Sequence, residues 1–209
     1  MKFDTAIFDL DGTILDTLCD LRDSVNFALS KNGLPTRSIE EVRAFVGNGI
    51  RLLVERAVPD NTEEEIINNC FEDFKTHYKN NSANATKPYD KIIDVLDDLK
   101  SKGVKIAVVS NKADFAVQGL MLKYFSGIFH FAVGEKEGVR RKPCPDSVFA
   151  AMEFLKADKE KLILANGNLL KKVAVEHKND PSEGDHSNSE EVKHVNIADA
   201  FDANGNFKK

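Results

Sequence analysis

Three short apolar runs along the chain have the length and composition of buried β-strands. They are TAIFD at 5–9, KIAVV at 105–109 and LILA at 162–165. Runs of this length are too short for helices, and unbroken apolar character is typical of strands buried on both faces of a parallel sheet. The pattern therefore predicts a sheet of at least these strands.

The segments between these runs carry apolar residues at helical spacing. Two apolar stripes lie within the strand-containing part of the chain: Ile92, Leu96 and Leu99; and Phe149, Met152 and Leu155. The segment from about 18 to 80 differs, because it contains only helical patterns, beginning with Leu18, Leu21 and Val25. Strands alternating with helices predict an α/β fold, with a helical domain inserted and a polar linker at 80–90 leading back to the sheet.

Composition narrows the classes of function. The 209 residues are 42% hydrophobic and 30% charged, and no apolar stretch approaches the roughly 18 residues of a membrane span. A net charge of −5 offers no basic surface for a nucleic acid. Three scattered cysteines and a start interrupted by aspartates favour reduced thiols and a cytoplasmic location. We therefore expect a small molecule as the partner, and neither nucleic acid nor membrane.

The first strand ends in two aspartates, Asp9 and Asp11, in the sequence AIFDLDGT. Residues i and i+2 of an extended segment point the same way, so the two carboxylates lie close together. Such a pair persists when a cation lies between the carboxylates or when one of them holds a transferable proton. Both arrangements suit phosphate chemistry, in which one aspartate attacks phosphorus and the other acts as acid and base. The ordinary alternative is a solvated Asp-Gly turn.

Three motifs occur in order: DLDGT at 9–13, VVSNK at 108–112 and RRKPCPD at 140–146. Together they resemble the haloacid dehalogenase-like superfamily, and within it the phosphoglycolate phosphatase-like group with a helical cap. The resemblance covers about residues 3–165 and implies a Rossmann-like parallel sheet core. It also implies Mg²⁺-dependent hydrolysis of a small phosphorylated metabolite, with 2-phosphoglycolate as the best single guess.

The resemblance assigns roles residue by residue. Asp9 becomes the nucleophile and a Mg²⁺ ligand, and Asp11 becomes the general acid/base, with its backbone carbonyl as a second Mg²⁺ ligand. Lys142 would neutralise the nucleophile and the phosphate oxygens. The phosphoryl group would be held by three further residues: Thr13, Ser110 and Asn111.

Each motif also has an ordinary structural interpretation. Ser110 and Asn111 are residue types found at helix N-caps, and Lys142 precedes a proline as a surface lysine can. In the cap, FVGNGIRLL resembles the loop that faces the active site in this group. Asn48 or Arg51 would then contact the far end of the substrate, and Arg51 would suit a carboxylate. The alternative is a helix start with Arg51 in solvent.

The chain departs from the family where a fourth motif with two acids should follow LILA. From Lys161 to Val175 there is no aspartate or glutamate. Aligning the strand ends places Asn166 at the position of the metal ligand and Leu170 at that of the supporting acid. An amide oxygen can bind Mg²⁺ but brings no charge, so we expect weaker metal binding.

The predicted organisation is an α/β core over 1–15 and 87–170, a helical cap over 16–86 and a polar, disordered tail over 171–209. The end of the core is expected to be incomplete, and a frameshift, splice difference or fusion near 162–168 would explain it. Two other functions stay open: a phosphomutase of the same superfamily, and a relative that binds phosphorylated ligands without turnover. The sequence fits a monomer or a homodimer.

Overall fold

A six-stranded sheet forms the centre of the molecule. The computed structural model describes residues 3–166, 169–171 and 194–196. The strands are β1 (Thr5–Phe8), β2 (Leu15–Asp16), β3 (Lys87–Pro88), β4 (Lys105–Ala113), β5 (Phe131–Glu135), β6 (Leu162–Asn166), β7 (Leu169–Lys171) and β8 (His194–Asn196). The sheet has the order β5-β4-β1-β6-β7-β8, while β2 and β3 form a separate antiparallel pair. The three predicted strands are β1, β4 and β6, and they lie side by side.

The central part of the sheet is parallel, as predicted: β1 pairs in parallel with both β4 and β6, and β4 pairs in parallel with β5. All four residues of β1 are buried, because helices cover both faces. Beyond β6 the sheet continues with antiparallel pairs, β6 with β7 and β7 with β8. The predicted α/β fold is therefore confirmed, and its C-terminal edge differs in direction from the rest.

Seven α-helices accompany the sheet within the described part of the chain. They are α1 (Leu18–Lys31), α2 (Ile39–Phe45), α3 (Ile50–Ala57), α4 (Glu64–Asn81), α5 (Ile92–Ser101), α6 (Asp114–Tyr124) and α7 (Asp146–Leu155). Helices α5 and α6 pack on the face of the sheet that carries Phe8 and Ile106. Helix α7 packs on the opposite face, against Ile7 and Val109. This alternation follows the two-residue period of a strand.

Helices α1 to α4 lie in the segment predicted as a cap and form their own apolar core. Its largest buried side chains include Phe74 and Tyr78 from α4, which pack against Leu21 and Val25 from α1. The contacts between α1 and α4 are more extensive than those between any other two helices of the described chain. The cap is thus a separate layer of helices with a hydrophobic centre of its own.

The cap joins the sheet domain through two strands and a buried carboxylate. Strands β2 and β3 pair where the chain enters and leaves the cap. Asp20 is 2% exposed and accepts hydrogen bonds from the Ala85 and Thr86 N–H groups at 2.8 and 2.9 Å. The Tyr124 hydroxyl donates to the Thr86 carbonyl at 2.6 Å. The segment predicted as a linker at 80–90 is therefore held in place by hydrogen bonds.

Two predictions concern the C-terminal part and the membrane. Strand β8 lies inside the segment 171–209 that was predicted to be disordered, and the rest of that prediction concerns residues outside those described. Among the described residues, no helix is both long and apolar enough to cross a membrane. Within the same residues Cys19, Cys70 and Cys144 are free thiols, as predicted.

Candidate active site

The turn after β1 presents two carboxylates at the carboxyl end of the sheet. The Asp9 N–H donates to the Ala165 carbonyl at 2.8 Å, which extends the β1–β6 ladder to Asp9. The chain then turns sharply, with the Leu10 carbonyl accepting from the N–H groups of the three residues that follow Gly12. Gly12 has φ +73°, a conformation that costs glycine little because it lacks Cβ. The turn therefore brings Asp11 back beside the strand end.

Asp9 is paired with Lys142. The Lys142 ammonium lies 2.8 Å from Asp9 Oδ1 and also donates to the Val109 carbonyl at 2.9 Å. The Leu10 N–H donates to the same Asp9 oxygen at 2.7 Å. Two donors, one of them a charged ammonium, therefore fix the position of the carboxylate. The structure brings these two predicted site residues into direct contact.

Asn111 holds Lys142 and reaches the cap. Its side-chain Oδ1 accepts from the Lys142 N–H at 2.8 Å, and its Nδ2 donates to the Lys142 carbonyl at 3.0 Å. The same Nδ2 lies 3.2 Å from the carbonyl oxygen of Gly47 in the cap. Asn111 thus connects β4, the loop of Lys142 and the cap, in addition to lining the cavity.

Asp11 is paired with Lys112, a residue to which the family resemblance assigns no role. Lys112 Nζ lies 2.7 Å from Asp11 Oδ1, and the lysine side chain is 2% exposed. The Thr17 hydroxyl donates to the same oxygen at 2.6 Å. Burial by itself would lower the pKa of the Lys112 ammonium, but the charge of Asp11 outweighs it and raises that pKa above its ordinary value. Lys112 is therefore a fixed positive charge.

Ser110 and Thr13 lie close to these pairs in the chain but differ in exposure to the cavity. Ser110 belongs to β4, lines the cavity and accepts a hydrogen bond from the Lys112 N–H at 3.1 Å. The helix N-cap interpretation of Ser110 and Asn111 is wrong, because α6 begins at Asp114 after an Ala113 cap. Thr13 is buried in the turn after β1, where its N–H donates to the Leu10 carbonyl at 3.2 Å.

These groups line a small inner cavity that opens into a wide cleft. The inner cavity has a volume of about 70 Å³ and lies between the sheet and the cap. Its polar lining combines Asp9, Asp11, Ser110, Asn111, Lys112, Lys142 and Tyr78, and its apolar lining includes Leu21, Val46, Ile50 and Leu53. The outer cleft, about 1330 Å³, shares Asp9, Asp11 and Lys142 with it. The cavity is thus polar mainly on the side of the sheet and apolar mainly on the side of the cap.

The structure does not bring Arg51 to this cavity. The Arg51 guanidinium donates to Glu55 at 2.6 Å and also pairs with Glu64 on α4, so it serves contacts within the cap. Asn48 does line the outer cleft, and its carbonyl accepts from Arg141 at 3.2 Å. Arg43 on α2 lines the same cleft. The described ion pairs do not include Arg43, which makes it the cap arginine available to a substrate.

The donor set suits a hard divalent cation of low coordination by protein. The hydrogen bonds of Asp9 and Asp11 described above converge on Oδ1 of each carboxylate, so Oδ2 of Asp9 is available to a cation and Oδ2 of Asp11 to a proton. Mg²⁺ is commonly held by one or two carboxylates together with water and substrate phosphate, so these two residues fit it. No cluster of three acidic, histidine or cysteine side chains occurs among the described residues.

Asn166, the third predicted metal ligand, ends β6 one residue after the Ala165 that pairs with Phe8. Its backbone therefore lies beside Asp9. Its side chain, and that of Leu170 in β7, lie outside the described part of the structure. A role for Asn166 as a ligand stays a prediction.

Sequence reasoning missed two residues of the site. The signal for Lys112 was present in VVSNK, because a lysine that directly follows a buried strand motif needs an anionic partner. Tyr78 continues the apolar helical spacing of the segment 18–80, but periodicity alone cannot show that the residue lines the cavity. Both depend on how the cap is seated on the sheet.

Carboxylates and lysines paired near the carboxyl ends of parallel strands, under a helical cap, define a site for an anionic substrate in an α/β protein. Residues 6–166 match the model of the haloacid dehalogenase-like hydrolase family. The chain therefore belongs to this family.

Individual relatives agree with this assignment. A phosphoglycolate phosphatase of Aquifex aeolicus is 35% identical over 159 residues, covering 76% of this chain and 73% of its own. A phosphoglycolate phosphatase of Agrobacterium fabrum is 32% identical over 187 residues, covering 86% of this chain and 78% of its own. A crystal structure of a candidate phosphoglycolate phosphatase from Lactobacillus delbrueckii has 35% identity and a TM-score of 0.74, covering 78% of both chains. The chain falls in the phosphoglycolate phosphatase-like group and is a phosphoric monoester hydrolase.

Proposed function

We propose that the protein is a Mg²⁺-dependent phosphatase that hydrolyses a small phosphate monoester, 2-phosphoglycolate, through an aspartyl-phosphate on Asp9. The observation that carries the proposal is the arrangement of Asp9 against Lys142 at 2.8 Å, with Asp11 against Lys112 at 2.7 Å beside it. One carboxylate is then oriented for attack, and the other is held within reach of the leaving oxygen.

The proposed reaction has two displacements at phosphorus. In the first, an Asp9 oxygen forms a bond to phosphorus while the bond to the leaving oxygen breaks, and Asp11 gives that oxygen a proton. In the second, Asp11 takes a proton from water, the water oxygen attacks phosphorus, and the bond to Asp9 breaks. Lys142 and Ser110 would hold the phosphoryl oxygens during both displacements.

The charges of the site support the requirement for a divalent cation. When Asp11 holds the proton that it donates, the two ammonium groups of Lys112 and Lys142 face one carboxylate charge, that of Asp9. A phosphate monoester dianion would then leave about one uncompensated negative charge in a partly buried site. Mg²⁺ bound to Asp9 and Asp11 would supply the missing positive charge and polarise the phosphoryl group. Asn166 is proposed as a further ligand.

The choice of 2-phosphoglycolate rests on the size and charge of the cleft and on the names of the relatives. Apolar side chains of Leu21, Ile50 and Leu53 limit the inner cavity to about 70 Å³, which favours a compact leaving group. Arg43 adds a positive charge to the outer cleft. Lys112, Lys142 and Arg43 together suit a substrate with two anionic ends.

The test is phosphate release from 2-phosphoglycolate and a panel of phosphate monoesters, with Mg²⁺ varied, for the wild type and Asp9→Asn. We expect Mg²⁺-dependent release that Asp9→Asn lowers by at least about a thousandfold. Asp4→Asn is the matched control, because Asp4 lies at the opposite end of β1, where its side chain accepts from the Thr5 hydroxyl at 2.9 Å. This control should retain the wild-type rate.

Two results would overturn the proposal. Release that persists in Asp9→Asn would exclude this nucleophile. A folded wild-type protein that binds the esters without releasing phosphate at any Mg²⁺ concentration would support a binding-only relative. A phosphomutase would convert a hexose 1-phosphate to the 6-phosphate without free phosphate, and the same assay with sugar analysis detects it. The oligomeric state and the cytoplasmic location stay predictions.

A further inference from the structure

Tyr78 is a fully buried tyrosine whose hydroxyl has no hydrogen-bond partner among the described residues. The residue lies near the end of α4 with 0% exposure, and its hydroxyl is an unpaired buried polar atom. Its ring stacks on Phe74 with centroids 5.2 Å apart. Lys112 Nζ lies 5.0 Å from the Tyr78 ring centroid on another side. The ring is therefore held in one position.

The position of Tyr78 is informative because it lines the inner cavity. The cavity also contains Asp9, Asp11, Ser110 and Lys142, and its volume of about 70 Å³ accommodates more than one water-sized group. A buried hydroxyl without a partner destabilises a folded protein, since it has lost its hydrogen bonds to water. A phenylalanine in the same stack would avoid this cost. The hydroxyl thus has no hydrogen-bond partner within the described protein, and the residue that carries it lines the cavity in which a ligand would bind.

We propose that the Tyr78 hydroxyl is a specificity group that donates a hydrogen bond to the leaving-group part of the bound phosphate monoester. The phosphoryl group is assigned to the strand ends, where Asp9, Ser110 and Lys142 lie, whereas Tyr78 comes from the cap. A ligand in the cavity would therefore present its other end to Tyr78 and to the neighbouring Lys112.

The chemistry of this pair selects an oxygen-rich leaving group. A phenolic O–H and an ammonium are both donors, so together they suit a carboxylate or another oxygen acceptor on the leaving group. An ester whose leaving group is a plain alkyl chain would leave the Tyr78 hydroxyl without a partner, whereas Lys112 would keep its ion pair with Asp11. This inference rests on the proposed phosphatase function, and it replaces Arg51 with Tyr78 as the cap residue that contacts the substrate.

Binding is the direct test, and Asp9→Asn serves as the background because it prevents turnover. Isothermal titration calorimetry measures Kd for 2-phosphoglycolate and for ethyl phosphate, with Mg²⁺ present, in Asp9→Asn and in Asp9→Asn/Tyr78→Phe. We expect Tyr78→Phe to weaken 2-phosphoglycolate binding about 10-fold and to change ethyl phosphate binding less than 2-fold. In the otherwise wild-type protein, Tyr78→Phe should raise the urea midpoint of unfolding.

Tyr124→Phe is the matched control variant. The Tyr124 hydroxyl donates to the Thr86 carbonyl at 2.6 Å outside the cavity, so this change should lower the urea midpoint and leave both Kd values unchanged. The opposite signs of the two stability changes separate an unpaired hydroxyl from a structural one.

The outcomes separate this inference from the proposed function. Equal Kd values with and without the Tyr78 hydroxyl, or equal weakening of both esters, would overturn the inference even if the wild type is an active phosphatase. Binding that depends on Tyr78 in a protein that releases no phosphate would support the inference and overturn the function. Failure of both the wild type and Asp9→Asn to bind either ester would overturn both.

Discussion

Replacing Lys112 with methionine removes the buried ammonium that faces Asp11 and nearly preserves the length of the side chain. The lysine is 2% exposed, and Asp11 is 18% exposed. Asp11 would keep the hydrogen bond from the Thr17 hydroxyl at 2.6 Å but would lose its compensating charge. The change therefore tests whether the ion pair between Lys112 and Asp11 stabilises the folded protein.

The magnitude follows from the geometry of the pair. At the observed 2.7 Å between Nζ and Oδ1, Coulomb's law with an effective dielectric constant of about 20 gives roughly 6 kcal/mol of attraction. Desolvation of the buried ammonium offsets part of this attraction. Breaking such a pair from one side typically costs about 3–5 kcal/mol, and the residual exposure of Asp11 places our expectation near 3 kcal/mol.

The assay is a double-mutant cycle in urea, with Lys112→Met, Asp11→Asn and the double variant. We expect a coupling free energy of about 2–3 kcal/mol, because the double variant removes both charges and leaves neither unpaired. Equal m-values across the four proteins would show that the denatured state is unchanged. A coupling below about 0.5 kcal/mol would refute the reasoning, since the two charges would then be solvated independently.

Three further changes have expected outcomes from the same structure. Asp20→Asn replaces the buried carboxylate that accepts hydrogen bonds from two backbone N–H groups, including that of Thr86, where the chain leaves the cap. Urea unfolding should show a free energy of unfolding lower by about 2 kcal/mol. Gly134→Ala should destabilise by about 2 kcal/mol or more, since its Cβ would collide with a backbone carbonyl of β4, whereas Gly119→Ala, with open space around it in a helix, should stabilise by about 0.5–1 kcal/mol. A Gly134→Ala variant that is as stable as the wild type would contradict this expectation. Burial raises the pKa of Tyr78 to about 12. The unfolded tyrosine ionises near pH 10, so between pH 10 and pH 12 unfolding releases the proton of Tyr78. The free energy of unfolding is therefore unaffected by this group below pH 10 and falls as the pH rises towards 12. Urea unfolding at pH 8 and pH 11 should therefore show a larger loss for the wild type than for Tyr78→Phe, and equal losses would refute the assignment.

The parts of the fold that hydrophobic pattern could predict are those in which each element is buried by its own residues. Strands β1, β4 and β6 are continuous apolar runs, and the helices α1 to α5 and α7 show apolar stripes, so both periods were readable. Strand β5, FAVGE, is short and ends in a glycine and a charge. Helix α6 has apolar residues on nearly all sides, so it lacks the one-sided stripe that pattern reasoning requires.

The candidate site divides in the same way. Asp9 and Asp11 follow β1, and Ser110 and Asn111 lie in the second half of β4, so their proximity follows from the sequence once these neighbouring parallel strands are recognised. Lys142 lies in the loop after β5, a strand that the hydrophobic pattern did not predict, so the motif RRKPCPD was needed to identify it. Contacts across the boundary between sheet and cap depend instead on how the cap is seated.

Arg51 illustrates why loop resemblance is a weaker guide there. Its position in FVGNGIRLL allowed a contact with the substrate, but acidic residues within reach on α3 and α4 supply nearer partners for the guanidinium. Turning the guanidinium towards the cavity would break its hydrogen bonds to two carboxylates, which are stronger than hydrogen bonds between neutral groups. Arg43 lines the cleft without such a partner in the described structure, although no motif identified it.

The two buried polar residues at the boundary between sheet and cap affect stability in opposite directions. Lys112 is buried with a matching charge, so removing it leaves Asp11 without compensation and should destabilise the protein. Tyr78 is buried with an unpaired hydroxyl, so removing that hydroxyl should stabilise it. Packing requires the ring of Tyr78, which stacks on Phe74, but it does not require the oxygen. Tyr78 lines the cavity of a phosphoric monoester hydrolase, so a ligand in that cavity would supply the hydrogen bond that the hydroxyl lacks in the described protein.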